Sequence, residues 1–221
     1  MAIRAIFFDI DGTLVDSNDQ HVVAWEEAFA GHGARFDREV IHDQIGKGAD
    51  MLVPALLPGT GEAAQDKLGE AHGDAFKRRF LGEVKPFPGA RDLLARVHAA
   101  GQLVVLASSA SRAEVDHYLD LLGARELVAA TTSADDVEHT KPAPDIFAAA
   151  LTKVAPLKAS EVIVVGDTPY DIEAAAKCGI AAIGVRSGKF AGEALTGAGA
   201  VAVYDDVAAL LADYAASPLA R

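Results

Sequence analysis

The chain has 221 residues, 51% of them hydrophobic, with 20 Lys and Arg against 32 Asp and Glu (net charge −12 with neutral His) and one Cys. That is ample for an α/β core with an insertion, and it excludes a disordered, collagen-like or low-complexity chain. The acidic balance argues against a nucleic-acid or anionic-lipid surface, a lone thiol forms no internal disulfide, and no apolar stretch approaches the ~18 residues of a bilayer span. The expectation is a soluble cytoplasmic protein, monomer or homodimer, whose partner is a small molecule, with no nucleic acid and no membrane.

The first apolar run, Ala5–Phe8, reads as a strand and ends in Asp9-Ile10-Asp11-Gly12-Thr13. Too little apolar sequence precedes it for a secretory leader. From Asn18 to Val84 only helical spacing appears, in Val22, Trp25 and Phe29, then Val40 and Ile41, then Leu68, Ala71 and Ala75. Glycine- and proline-bearing turns separate these pieces, so residues 18–84 read as an inserted helical lobe. The chain returns through Lys85-Pro86-Phe87-Pro88-Gly89, a stiff, turn-rich connection.

Strand-like runs then alternate with helices: Leu103–Ala107, Leu127–Thr131, Val162–Val165, Ile180–Gly184 and Ala200–Tyr204. They are continuously apolar instead of alternating, as strands covered on both faces are. Between them Ala90, Leu93, Leu94 and Val97, and later Val115, Tyr118, Leu119 and Leu122, keep helical spacing. Pro142 and Pro169 are expected in first helical turns, Gly101, Gly123 and Gly179 at helix ends, and Asp205 or Asp206 as the cap of a last helix. The fold class is α/β, a Rossmann-like, doubly wound parallel sheet from residues 1–17 and 85–221.

In such a sheet ligands bind beyond the carboxyl ends of the strands. Four ends there carry Asp9 and Asp11, then Ser108 and Ser109, then Lys141, then Asp167 and Asp171. Two carboxylates ~4 Å apart repel by ~4 kcal/mol at an effective dielectric near 20, and one lysine does not cancel four anions. Hard oxygen ligands beside a phosphate favour Mg²⁺. A carboxylate is a ready nucleophile, and a second one two residues on is placed to move protons. Ser108 and Lys141 would then hold phosphoryl oxygens.

These four segments, in this order, resemble the four motifs of the haloacid dehalogenase superfamily, in its phosphoglycolate phosphatase and β-phosphoglucomutase-like branch. The resemblance implies Asp9 as nucleophile, Asp11 as general acid and base, and Ser108 and Lys141 as phosphate ligands. It implies Mg²⁺ held by the Asp9 side chain, the Asp11 backbone carbonyl and Asp167, with Asp171 supporting, and a helical cap where residues 18–84 lie. The implied activity is that of a Mg²⁺-dependent phosphatase for a small phosphorylated metabolite, acting through an aspartyl-phosphate. The alternatives are a phosphosugar mutase and a non-catalytic phosphometabolite-binding protein.

Three further residues join the candidates. Ser109 adjoins the phosphate site, His21 lies just past the hinge from the first motif, and Lys47 stands between Gly46 and Gly48 where it can meet a substrate's far end. A mutase of this branch grips a second phosphate with an arginine three residues after a cap-loop glycine; here that position is Ala49. Lys77-Arg78-Arg79 reads as a solvated helix face, and Cys178 as a packed helix-end residue.

Overall fold

The computed structural model describes residues 2–220. In chain order its main elements are β1 (Ala5–Phe8), β2 (Val15–Asp16), α1 (Asn18–Gly31), α2 (Arg38–His42), α3 (Ala49–Leu56) and α4 (Glu62–Arg79). Then come β3 (Lys85–Pro86), α5 (Ala90–Ala99), β4 (Leu103–Ala107), α6 (Arg112–Leu121), β5 (Val128–Thr132) and α7 (Asp145–Lys153). The chain closes with β6 (Val162–Gly166), α8 (Pro169–Lys177), β7 (Ala181–Val185), α9 (Gly192–Gly197), β8 (Ala202–Tyr204) and α10 (Val207–Ala212).

Six parallel strands form one sheet in the order β5-β4-β1-β6-β7-β8. The chain runs outward from β1 through β4 to β5, then crosses back to β6, so the order reverses beside β1. That switch point is where an open α/β sheet leaves a crevice. All four residues of β1 are buried, which explains their unbroken apolar run. Residues of α5, α6 and α10 pack on one face of the sheet around Leu93, Val115 and Leu210. Those of α7, α8 and α9 cover the other around Phe147, Ile172 and Leu195. The doubly wound sheet is therefore as expected.

Helices α1 to α4 build a cluster of their own from Val22, Trp25, Phe29, Ile41, Leu52 and Leu68. Ala24, Ala75 and Phe76 instead join the cluster on the sheet, so one side of this helical block docks on the core. No helix among the described residues is long and apolar enough to cross a membrane.

Two local expectations change. Pro142 was expected to open a helix, but α7 begins at Asp145 and Pro142 lies in the turn before it. Lys85–Pro86, expected as a turn-rich connection, pairs antiparallel with Val15–Asp16. The two crossings between core and helical block are thus joined in a short ribbon, too brief to show a period in sequence. Pro169 does open α8, after a capping box in which Thr168 and Asp171 satisfy each other's backbone and side-chain groups.

Candidate active site

Strand register brings the chemistry together. Phe8 is level with Leu106 on one side and Val165 on the other. Asp9, Ser108 and Asp167 therefore emerge side by side, each one residue beyond its strand. Lys141 reaches the same spot from the loop after β5 and is completely buried. Its ammonium donates to Asp9 Oδ1 at 2.5 Å and to the Ala107 carbonyl at 2.9 Å, and lies 2.7 Å from Asp171 Oδ1. Two of its donors are thus used in hydrogen bonds, while Asp171 Oδ1 pairs with it by charge and has no hydrogen-bond partner of its own among the described residues. Asp171 Oδ2 accepts from the Thr168 backbone N–H and hydroxyl, so the capping box that starts α8 also aims the carboxylate at Lys141.

Asp167 is the other buried acid. Thr13 donates to its Oδ1 at 2.9 Å and Asn18 Nδ2 to its Oδ2 at 3.0 Å. The backbone closes on it as well: a Cβ at Gly12, whose φ is +76°, would lie 2.3 Å from Asp167 Oδ2, and one at Gly188 only 1.7 Å. Only glycine permits that approach.

Burial and neighbours set the ionisation of this floor. Burial pushes the Asp9 carboxyl up to about 7; Lys141 opposes that rise and Asp171 adds to it. Asp167 is pushed well above the carboxylate range by burial, then by Asp9 and Asp171. For Lys141 burial favours the neutral amine, but Asp171 and Asp9 overcome it and raise its affinity for the proton. One cation facing three acids leaves the set short of positive charge. Oxygens of Asp9, Asp167 and Asp171 all lie within 4.8 Å of one another. An all-oxygen, over-anionic set of this kind suits a hard divalent cation, and beside it the buried Asn18 Oδ1 has no protein partner.

Asp11 behaves differently. Its carboxylate turns out of that cluster: Oδ1 accepts from Ser17 at 2.6 Å and contacts His21 Nε2 at 3.1 Å. Burial would raise its pKa, but the charge and hydrogen bonds of His21 and Ser17 win and hold it below the ordinary value.

Above the floor opens a cavity of about 620 Å³, lined by both the core and the helical block. Ser108 and Ser109 line its core side; the Ser108 hydroxyl accepts from Ala110 N at 2.9 Å, and the buried Ser109 hydroxyl has no protein partner. His21 and Lys47 line it from the block. The Lys47 ammonium donates to Gln44 Oε1 at 2.6 Å and sits 4.2 Å over the Tyr170 ring. Glu70, Asp74 and Glu138 also line the cavity and are exposed, whereas no arginine among the described residues does. Cys178 lies away from it, its thiol on the Pro144 carbonyl.

Sequence reasoning missed several of these groups. Thr13 closes the first motif and Asn18 lies beyond it, and neither carries a signal of its own for holding Asp167. Thr140 clasps the block to the core: its hydroxyl accepts from Gly48 N at 2.8 Å and donates to Asp50 Oδ1 at 2.5 Å. His72, 51 residues from His21, stands against it at 3.1 Å. Such long-range partners leave no spacing pattern to read.

Residues 3–179 match the family model of the haloacid dehalogenase-like hydrolases. Among curated relatives, a phosphoglycolate phosphatase of Yersinia pseudotuberculosis is 33% identical over 199 residues, covering 88% of this chain and 85% of that one. A fructose-1-phosphate phosphatase of Escherichia coli is 28% identical over 182 residues, covering 82% and 95%. Among solved structures, a hydrolase from Pseudomonas syringae superposes with a TM-score of 0.89 at 30% identity, covering 96% of this chain and 97% of that one.

Proposed function

This chain belongs to the haloacid dehalogenase-like hydrolases, and from that premise we propose a Mg²⁺-dependent phosphatase that hydrolyses a small organic phosphate monoester through Asp9. The observation that carries the proposal is the buried set of Asp9, Asp167, Asp171 and Lys141 at the floor of an open cavity.

In this reading the side chains of Asp9 and Asp167 hold the ion with the Asp11 backbone carbonyl, and Asp171 completes the acidic set while aiming Lys141. Bound there, Mg²⁺ would neutralise the carboxylates and the phosphoryl oxygens. An Asp9 oxygen attacks phosphorus, and the bond from phosphorus to the ester oxygen breaks as Asp11, reacting from its protonated minor form, gives that oxygen a proton. The alcohol departs, leaving a phosphoryl group on Asp9. Asp11, now a carboxylate, takes a proton from water as the water oxygen attacks phosphorus, and the Asp9–phosphorus bond breaks to release inorganic phosphate. Ser108, Ser109 and Lys141 hold the phosphoryl oxygens throughout. Residues 18–84 act as the cap that covers the bound ester, with His21 and Lys47 on its inner surface.

For the substrate, both the phosphoglycolate and the sugar phosphate class are open to this chemistry, and the cavity favours the second. A volume of about 620 Å³ exceeds the need of a two-carbon acid. The unpaired acids Glu70, Asp74 and Glu138 repel a carboxylate, and Lys47 is already engaged by Gln44. A mutase is disfavoured, because a second phosphate finds no arginine on this wall among the described residues and Ala49 stands at the expected position. The test is a panel of phosphorylated metabolites assayed in Mg²⁺ for release of inorganic phosphate. Release from hexose phosphates supports the proposal. Interconversion of hexose phosphates dependent on a bisphosphate primer, or no turnover of any ester including p-nitrophenyl phosphate, overturns it.

A further inference from the structure

The contacts of Asp11 continue into the helical block. Both its hydrogen bonds fall on Oδ1, from Ser17 and His21. His21 belongs to α1, and its other ring nitrogen, Nδ1, lies 3.1 Å from Nε2 of His72 on α4. The two rings are held by different walls. His21 stacks on Phe76 with centroids 3.8 Å apart and planes 11° from parallel. His72 stacks on Trp25 at 4.2 Å and 11°. An imidazole with one nitrogen bonded and its face stacked can still flip about χ2; a partner on the second nitrogen removes that freedom. His72 supplies that partner.

We propose that His72 is a positioning residue for proton transfer: through His21 it fixes Asp11 Oδ1, and so keeps Oδ2 turned to the ester oxygen that must be protonated. This rests on the reading of Asp11 as the general acid. His72 has no contact with Asp9, Asp167 or Lys141 and takes no part in attack or in holding phosphate. Its removal is therefore felt only where a leaving group needs a proton.

That makes the leaving group the readout. The ratio kcat/KM covers the steps up to loss of the alcohol. A sugar alkoxide requires protonation to depart, whereas p-nitrophenolate departs without it. In Mg²⁺, His72→Phe, which keeps an aromatic ring beside Trp25 but no ring nitrogen, should lower kcat/KM about tenfold for a hexose 6-phosphate, as loss of one neutral hydrogen bond implies. It should change kcat/KM for p-nitrophenyl phosphate less than about twofold. His72→Gln, whose amide can meet His21 Nδ1, should recover most of the loss, and His72→Ala provides the same ratio if the phenyl ring disrupts folding. Asp11→Asn is the reference and should split the two substrates by a larger factor, on the order of 10² or more. Equal losses on both substrates, or none, in the His72 variants beside a split in Asp11→Asn would reduce His72 to packing. No split in Asp11→Asn would remove the acid assignment itself, and the role of His72 with it.

Discussion

The floor and the wall of the cavity follow opposite rules. On the floor every charge is buried and has a partner: Lys141 is shared by Asp9 and Asp171, and Asp167 is held by Thr13 and Asn18. On the wall Glu70, Asp74, Glu138 and Lys77 are exposed and make no ion pair among the described residues. A buried charge that loses its partner costs ~3–5 kcal/mol, whereas an exposed one costs ~0–1 kcal/mol. The floor is therefore intolerant of change and suited to chemistry common to all phosphate esters. The wall is free to vary and suited to choosing among them. Asp11 stands at the boundary, with its backbone on the floor and its side chain tied to the wall through His21.

Changes on the floor should break the protein most severely. Asp9→Asn is expected to abolish turnover, since an amide is a poor nucleophile, and mass spectrometry of the wild-type protein quenched during turnover should find the phosphoryl group on Asp9. Normal rates in that variant would dismiss the assignment. Lys141→Met should destabilise by ~3–5 kcal/mol by leaving two buried carboxylates unneutralised, measured by denaturant unfolding. A loss below 1 kcal/mol would show that the floor is not held by this ammonium. Gly188→Ala comes next: its Cβ meets Asp167 Oδ2 at 1.7 Å, so Asp167 must move and the Mg²⁺ concentration for half-maximal activity should rise at least tenfold. An unchanged metal dependence would place the ion elsewhere.

The ionisation of the floor supplies a pH test. Asp9 and Asp167 have folded pKa values above their unfolded ones, so their contribution to stability is present below about pH 4 and is lost as pH rises through their folded values, towards 7 in the case of Asp9. His72 has the opposite sign. Burial and then His21 hold its pKa well below 6.5, so its contribution is present above that value and is lost on acidification. The increment in Tm on adding Mg²⁺ separates the two, because His72 is common to both samples. That increment should grow from pH 4.5 to pH 7.5, as protons cease to compete for the two carboxylates. A constant or shrinking increment would detach the ion from Asp9 and Asp167.

The same division governs what the sequence made legible. Asp9, Ser108 and Asp167 each follow a strand directly and register does the rest, while Lys141 lies in the loop after β5 and Asp171 in the first turn of α8, so all five could be named from the alternation of strands and helices. The wall has no such rule. His72 meets His21 across 51 residues, and Asp50 meets Thr140 across 90; both pairings arise from how the helical block docks, which no periodicity encodes. Pro142 misled because a proline before a helix usually opens it, while here two further residues, Ala143 and Pro144, intervene before α7. The β2–β3 ribbon escaped because two residues are too few to alternate.

The smallest expected effect lies at Lys47, and it tests whether the wall selects. Its ammonium is shared with Gln44 and lies over Tyr170, and burial lowers its pKa somewhat, against a weak opposing pull from Glu173. Such a half-engaged lysine contributes a hydrogen bond to a substrate hydroxyl or a modest attraction to an anion, in the ground state and the transition state alike. Lys47→Ala should therefore raise KM for the true substrate by about two- to fivefold and leave kcat nearly unchanged, the pattern of uniform binding. The shift should be absent for p-nitrophenyl phosphate, which offers neither hydroxyl nor carboxylate to the wall. A fall in kcat on both substrates would assign Lys47 to the floor's chemistry after all, and identical kinetics on every ester would leave it a loop lysine with no part in selection.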